Sequence, residues 1–482
     1  MFTAVTFQEW EATPQEKRLK LLQDIIRQYK RSPDFLRGLE ANNYFCDEDT
    51  EVERKVILKS QTREVDKYDD DGRKYTETVT TVDEIPGARV PTNIFKRLVI
   101  QQNQHLLSNG VTLGEQAQKE RLGLGFDRML ARCGEKALLH GVCWGFWNLD
   151  HMEIIEAAAD SGSGFVALVD EETSAPRLGV QFWQIGKSRP MYVRLFEEDG
   201  VTSYKQEKGQ LRQHVAKRAY VLTISSDAIG ESVVSAKNYG RLPLVPLYGN
   251  EERKSELSRS MKRKIDAYDI ITSDFVDNLQ QANEIYWVLN NFGGTFNEMA
   301  AMIESVRKSG ILASYSDGTP GGSSTAEPHT FQIPTEARKV ALELLEKAMY
   351  KDFMARNLDD VSGGSLTNVA ILTASTNLEL KCDRYEWQVF DFVQNILRLA
   401  GIQTEKITFK RQEIVNRSEI VDDIQAMRQD IDDKTALKLN PYIMPEEIDD
   451  ILANRDAKIL TGLSGTDAAN RARGADNGQG DS

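Results

Sequence analysis

Residues 241–289 read RLPLVPLYGNEERKSELSRSMKRKIDAYDIITSDFVDNLQQANEIYWVL. An apolar strand over 241–248 enters a Gly249-Asn250 turn, and a long amphipathic helix follows, built around Ile265-Asp266-Ala267-Tyr268-Asp269. Leu257, Met261, Ile265, Tyr268, Ile271, Phe275, Leu279, Ala282 and Tyr286 step by three or four residues without a break, the spacing of one apolar helix face. Taken over 256–283, the helix is ~40 Å long at ~1.5 Å per residue. The stretch holds no nucleophile beside a base, no metal-ligand spacing and no phosphate loop. It reads as a strut.

On its N-terminal side the periodicity is two. VCWGFWNL, GFVALVD, GVQFWQI, MYVRLF, VTSYKQ and YVLTIS, all within 142–250, are short strands separated by Gly, Asp and Ser turns, which predicts a mostly antiparallel β-rich region. Further upstream, Thr13-Pro14-Gln15-Glu16 has the form of a capping box with proline at the first helical position. Residues 52–82 predict a hairpin about the turn Tyr68–Gly72, and 92–108 and 115–140 predict helices, the second closed by Gly141. Downstream, 284–333 is mixed: a strand IYWVL, a helix near 296–308, a strand ILASY and a loop SDGTPGGSSTAEP. A helix over 335–358 is broken by Gly363-Gly364, and helix resumes over 366–400. A strand at 405–413 and helix over 418–457 follow. The Gly-, Ala- and Asn-rich tail 461–482 is expected to be disordered.

The chain has 482 residues, 40% of them hydrophobic, enough for a sizeable core in two to four structural units. A net charge of −14 argues against tight, salt-labile clamping of a phosphate backbone. Cys46, Cys133, Cys143 and Cys382 form no CxxC pair and read as reduced thiols. Without a signal sequence or a run of about 18 apolar residues, a soluble intracellular chain with no membrane segment is expected.

Candidate chemistry is thin. Gly186-Lys187-Ser188 lacks the earlier glycine of a phosphate loop, since position 181 is glutamine and the bulky Phe182, Trp183 and Ile185 intervene. Asp69-Asp70-Asp71-Gly72 would need Asp and Glu at the first and twelfth positions of a calcium loop, where Lys67 and Thr78 stand. The five histidines make no zinc spacing. The acidic pairs Asp359-Asp360, Asp422-Asp423, Asp432-Asp433 and Asp449-Asp450 read as caps and solvated faces, because adjacent helical side chains diverge by about 100°. No metal site, catalytic residue or cofactor is expected. The basic run Arg253, Lys254, Arg259, Lys262, Arg263, Lys264 either faces nucleic acid or pairs with Glu251, Glu252, Glu256 or a neighbouring subunit. Gly363-Gly364-Ser365 is either a helix–helix connection or a loop projected from rigid helices.

Several segments, in order, resemble the portal proteins of long-tailed, siphovirus-type bacteriophages. They are Asn43-Tyr44-Phe45 with the charged stretch to Val56, Thr92–Val99 through Gly110, Leu242–Glu252 with Ile265–Asp274, Leu366–Ile371 with Leu378–Lys381, and Ile407–Arg411 with Asn416 and Glu419. The resemblance covers about 10–457. It implies an α+β portal fold with wing, stem, clip and crown regions, assembling as a ring with a central channel. By this resemblance 1–255 is an N-terminal wing that includes the β-rich 142–250. Residues 256–283 and 335–358 are stem helices, 284–334 the clip and 359–368 the tunnel loop. Residues 369–417 return to the wing and 418–460 form a short crown. The tunnel loop Asp360, Val361, Ser362, Gly363, Gly364, Ser365, Leu366, Thr367 and Asn368 is expected to face DNA. Leu257, Met261, Ile265, Tyr268, Phe275 and Leu279 are expected to pack the stem and neighbouring subunits. Trp287, Asn291, Phe292 and Tyr315 are expected to meet clip partners.

The resemblance further implies a homo-oligomer, a dodecamer in the particle, with double-stranded DNA in its channel. Its implied partners are the terminase large subunit, a head-completion or adaptor protein, and the scaffold and major capsid proteins. It places the protein at the capsid portal vertex of the virion, assembled in the host cytoplasm, with no enzymatic role. An acidic conduit suits this, since DNA that must slide is not to be clamped. The readings set against it are a metal-dependent phage DNA-processing enzyme using the Asp pairs, and another minor capsid structural protein.

Overall fold

Three short helices open the chain. α1 (Phe7–Ala12) is capped by Thr6, whose hydroxyl accepts the Glu9 N–H while the Glu9 carboxylate accepts the Thr6 N–H. The capping box expected at Thr13 does not form, because the Thr13 hydroxyl donates instead to the Glu9 carbonyl at 2.7 Å and Pro14 takes the cap position of α2 (Gln15–Lys30). Ser32 then caps α3 (Pro33–Cys46), with proline at the first turn. The computed structural model describes residues 5–68, 74–186, 188–227, 230–282, 286–290, 325–329, 334–357, 368–412, 417–443 and 447–454.

The predicted hairpin is present as β1 (Val56–Tyr68) and β2 (Lys74–Pro86), paired antiparallel in unbroken register from Val56↔Pro86 to Tyr68↔Lys74. The aspartates of its turn lie outside the described residues. α4 (Ile94–Leu107) and β3 (Val111–Leu113) follow. The helix expected over 115–140 is two: α5 (Gln116–Glu120) and α6 (Phe126–His140). Gly123 between them sits at φ +82°, a left-handed conformation that cannot continue a helix. Gly141 closes α6 at φ +81°, and a Cβ there would lie 2.7 Å from the Arg253 carbonyl, so the glycine serves both the turn and the close approach of 253–254.

The β-rich region holds β4 (Val142–Asn148), β5 (His151–Glu156), β6 (Ala158–Asp160), β7 (Ser163–Val169), β8 (Pro176–Gln184), β9 (Met191–Glu197), β10 (Gly200–Glu207), β11 (Gln210–Arg218), β12 (Val221–Asp227), β13 (Gly230–Lys237) and β14 (Leu244–Tyr248). They form an antiparallel six-stranded sheet in the order β11-β10-β9-β8-β7-β6, a three-stranded sheet β14-β4-β5 and the hairpin β12-β13. The larger sheet is covered on both faces. On one, Trp10, Leu22, Ile25, Ile26, Tyr29 and Phe35 of the first helices pack on Val166, Leu168, Val180 and Phe182. On the other, Phe165, Ala167 and Phe196 meet Trp144 and Phe146 of β4. This is why β7 reads as an unbroken apolar run rather than alternating. β11 escapes sequence pattern reading because, between Gln210 and Arg218, only Leu211 is buried.

The remaining elements are α7 (Arg259–Ala282), β15 (Tyr286–Asn290), β16 (Thr325–His329), α8 (Thr335–Phe353), α9 (Asn368–Leu399), β17 (Ile407–Phe409), α10 (Arg417–Ala426) and α11 (Asp433–Leu439), with a last helical segment near 448–454. Several boundaries depart from the sequence expectation. α7 begins at 259 rather than 256, because Ser258 caps it and its hydroxyl accepts the Met261 N–H at 3.1 Å. α8 ends at 353, well before the glycine pair. Met354 turns left-handed at φ 61°, and the Ala355 N–H closes on the Tyr350 carbonyl at 2.9 Å. Residues 325–328, expected in a loop, belong to β16 and pair with β15, Trp287 standing opposite Pro328. Proline is tolerated in such a two-stranded edge. The strand at 405–413 shortens to β17, which pairs with β3, and the helix expected over 418–457 is interrupted between α10 and α11, where Asp432 caps anew.

The chain divides into two units, one of residues 1–355 and 381–410, the other of 356–380 and 411–482. The first unit's largest core joins α4, α6, β14, the start of α7, the end of α8 and the later part of α9, with Phe95, Leu138, Leu247, Ile265, Phe353 and Tyr385 buried in it.

Candidate functional site

The strut is a helix pair. Near its start α7 touches the end of α8: Lys264 pairs with Asp352, and Ser260 donates to the same carboxylate at 3.3 Å. Farther along, Arg338 at the start of α8 donates to the Asp274 carbonyl at 3.5 Å and stacks 5.9 Å from the Phe275 ring. The contacts run in opposite order, so the two helices are antiparallel. The Lys264 ammonium holds the Asp352 carboxyl below the usual carboxylate range.

The apolar stripe divides in two. Leu257, Met261 and Ile265 are buried in the chain's own core, and Tyr268 packs partly against it. Farther on, Phe275 is half-buried and Leu279 is exposed. On α8, Val340 and Leu344 stand in solvent, Leu344 at 63% exposure. The near half of the stripe therefore serves intrachain packing, while Leu279 farther along remains exposed in a single chain.

Three residues of the basic run meet partners within the chain other than the acids named from sequence. Lys262 meets Glu40 at 3.3 Å and Asp266 at 3.4 Å, Lys264 meets Asp352, and Arg253 lies 4.4 Å over the Tyr248 ring. Glu251, Glu252 and Glu256 turn to α9 instead. Arg384 reaches Glu251 at 2.7 Å and Glu252 at 3.4 Å, while the Lys381 ammonium reaches Glu256 at 2.7 Å and the Phe353 carbonyl at 3.0 Å. The turn before α7 is thereby tied to α9.

A polar ladder that the sequence reading passed over runs along α7. Asp269, Ser273 and Asp277 recur every four residues and face the segment 87–93 that follows β2. The Val90 N–H donates to the Ser273 hydroxyl at 3.0 Å and the Ala88 N–H to Asp277 Oδ1 at 2.7 Å, while the Thr92 backbone lies beside Asp269. Lys55 adds contacts of 2.7 Å to both Asp274 and Asp277. Burial opposes the charged form of Lys55, but hydrogen bonds to the two carboxylates outweigh it and raise its pKa. The Tyr44 hydroxyl donates to Asp266 at the head of the ladder. Burial pushes the Asp269 carboxyl up to about 8, Asp266 and Asp47 adding to the rise, and its Oδ1 has no hydrogen-bond partner among the described residues. The signal for this ladder was the i, i+4 spacing of short polar residues on a face other than the apolar one.

Other predicted features resolve plainly. Of the tunnel-loop residues, Asp360 to Thr367 lie outside the described residues. Asn368 opens α9, its N–H donating to Glu419 Oε2 at 2.6 Å. Trp287 lies in β15, while Asn291, Phe292 and Tyr315 lie outside the described residues. No helix follows Gly186, since β9 comes next, so that segment lacks the helix N-terminus of a phosphate loop. Asp432 caps α11, Asp433 pairs with Arg428 at 2.6 Å and Asp449 with Lys434 at 2.9 Å. His140 is buried, which lowers its pKa to about 3. Among the described residues no group of three or more His, Cys, Asp or Glu is placed to hold a metal ion, and no helix is long and apolar enough to cross a membrane.

Comparison with known proteins gives these elements a context. The chain is 31% identical over 229 residues to the portal protein of Bacillus phage SPP1, covering 44% of each chain. It is 28% identical over 201 residues to the portal protein of Clostridium phage phiCD119, covering 40% of this chain and 43% of that one. The chain thus spans less than half the length of either relative. Among solved structures, a chain from the virion of a native gene transfer agent particle aligns over 69% of this chain and 83% of its own, with a TM-score of 0.35 and 10% identity. The family described as phage portal protein, SPP1 Gp6-like, matches residues 54–459, most of the sequence, and the chain belongs to that family.

Proposed function

We propose that the protein is the portal of a long-tailed phage: a ring at one vertex of the capsid through which double-stranded DNA is packaged and later ejected. In this reading α7 and α8 are the stem, 284–334 the clip, 359–368 the tunnel loop, the regions around the β-rich 142–250 the wing, and 418–460 the crown. The ring is a dodecamer in the particle and assembles in the host cytoplasm with scaffold and major capsid proteins. The terminase large subunit docks during packaging and a head-completion or adaptor protein afterwards. The reading assigns no catalytic step to the chain.

Beside family membership, the observation that carries it is the antiparallel α7–α8 pair with Leu279, Val340 and Leu344 left in solvent. A ring built by heterologous contacts gives each subunit two neighbours, and apolar residues that one chain leaves uncovered can be buried between them. The intrachain salt links of Lys262 and Lys264 also fit a conduit, since cations already paired with carboxylates grip phosphate weakly.

Negative-stain images of the purified protein with capsid and scaffold proteins test this. Closed rings with a central hole are expected, and open filaments would overturn the reading. Deleting Gly363-Gly364-Ser365 tests the tunnel-loop assignment. Rings are expected to persist while DNA packaging falls, and unchanged packaging would refute that role.

A further inference from the structure

The β1–β2 hairpin is a long two-stranded ribbon. Each strand has 13 residues, and neither pairs with another strand among the described residues. At about 3.3 Å per residue the ribbon is ~40 Å long. An isolated ribbon has no sheet neighbour to fix its direction, so its roots must do so. Those roots are Lys55, just before β1, and the segment 87–93, just after β2.

Both roots converge on one side chain. Asp277 Oδ2 takes the Lys55 ammonium at 2.7 Å, and Asp277 Oδ1 takes the Ala88 N–H at 2.7 Å. Gly87 allows the approach: a Cβ there would lie 2.8 Å from Ile57 Cγ1 and 3.1 Å from Asp277 Oδ2. The segment 87–93 carries no fully buried side chain, and Val90 is exposed. Its hold on α7 is the polar ladder rather than an apolar core, whereas α4 directly beyond it is anchored by the buried Ile94 and Phe95. A segment held by a few polar bonds opens at much lower cost than a core element.

We propose that Asp277 is a positioning residue that aims the ribbon: by gripping both roots it makes the β1–β2 hairpin follow displacements of α7. The residues 87–93 act as the strap of this coupling, with Ser273 and Asp269 as its further rungs. The inference rests on the fold alone and stands or falls independently of DNA passage.

Two measurements on the full chain test it. Hydrogen exchange reads the strap directly. In Asp277→Asn, the Ala88 and Val90 amides are expected to exchange about tenfold faster while α6 amides are unchanged. Electron–electron distance measurements read the aim, using spin labels at Lys74→Cys and Arg263→Cys in a Cys46→Ser background, with labelled chain diluted into unlabelled chain. The distribution is expected to broaden in Asp277→Asn. Lys55→Gln leaves Asp277 and the helix in place and is expected to broaden the distribution as well. Faster strap exchange with an unchanged distribution in both variants would overturn the aiming role. Unchanged exchange, or acceleration that extends to α6, would overturn the separable strap.

Discussion

Asp269 shows how one buried residue outside any catalytic cluster acquires an unusual ionisation. It is 2% exposed, and its Oδ1 has no hydrogen-bond partner among the described residues. With its carboxyl pushed up from 3.8 to about 8, the folded chain keeps a proton that the unfolded chain has released across that interval. The stabilising contribution is therefore complete below about pH 4 and is lost progressively as pH rises toward 8. Asp269→Asn retains an acceptor for Thr92 and removes the titration. The native protein is expected to melt lower at pH 8.5 than at pH 6.5, with a clearly smaller difference in the variant. Equal pH slopes in thermal melts of the two proteins would contradict this account. Nothing in the sequence marks Asp269 apart from Asp274, which is half-exposed; the distinction comes from what covers each side chain.

At the scale of elements, α7 carries three faces. One buries Leu257, Met261 and Ile265, one holds the strap, and one meets α8. The apolar face was legible because its spacing repeats for six turns. The strap face was not, since aspartate and serine on a helix read by default as solvated. The helix start was misplaced by three residues for a related reason: Glu256 and Leu257 extend the pattern, but the Ser258 hydroxyl accepts the Met261 N–H and sets the cap. Ser258→Ala is expected to destabilise the protein by about 1 kcal/mol, read as a shifted midpoint in denaturant unfolding. A midpoint equal to that of the native chain would show that the cap contributes nothing. The break between α5 and α6 has the same lesson in reverse. The stretch 115–140 reads as one helix, but Gly123 in a left-handed conformation ends one helix before the next begins.

For the whole molecule, the portal reading makes a demand on α8. Leu344 is exposed in the single chain, so Leu344→Lys is expected to change the stability of the isolated chain by less than about 0.5 kcal/mol. In a ring with that face against a neighbour, the same charge would be buried and uncompensated. Size-exclusion chromatography and negative staining are expected to show a loss of rings with normal melting of the monomer. Normal rings would remove this face from the subunit interface.

The sequence by itself determined the classes of element and the kind of protein. Period-two runs gave the β-rich region, the long 3.6-residue stripe gave the strut, and the ordered segments from Asn43 to Glu419 carried a resemblance that the family match over 54–459 sustains. These are local or linear signals, written in the spacing of residues along the chain. Tertiary structure alone decided the partners. Glu251, Glu252 and Glu256 pair with α9 rather than with the adjacent basic run, and Asp277 grips both roots of a hairpin that begins more than two hundred residues earlier. Charge and hydrogen-bonding capacity are visible in a sequence. Which of many equivalent partners satisfies them depends on distances that only the folded chain sets.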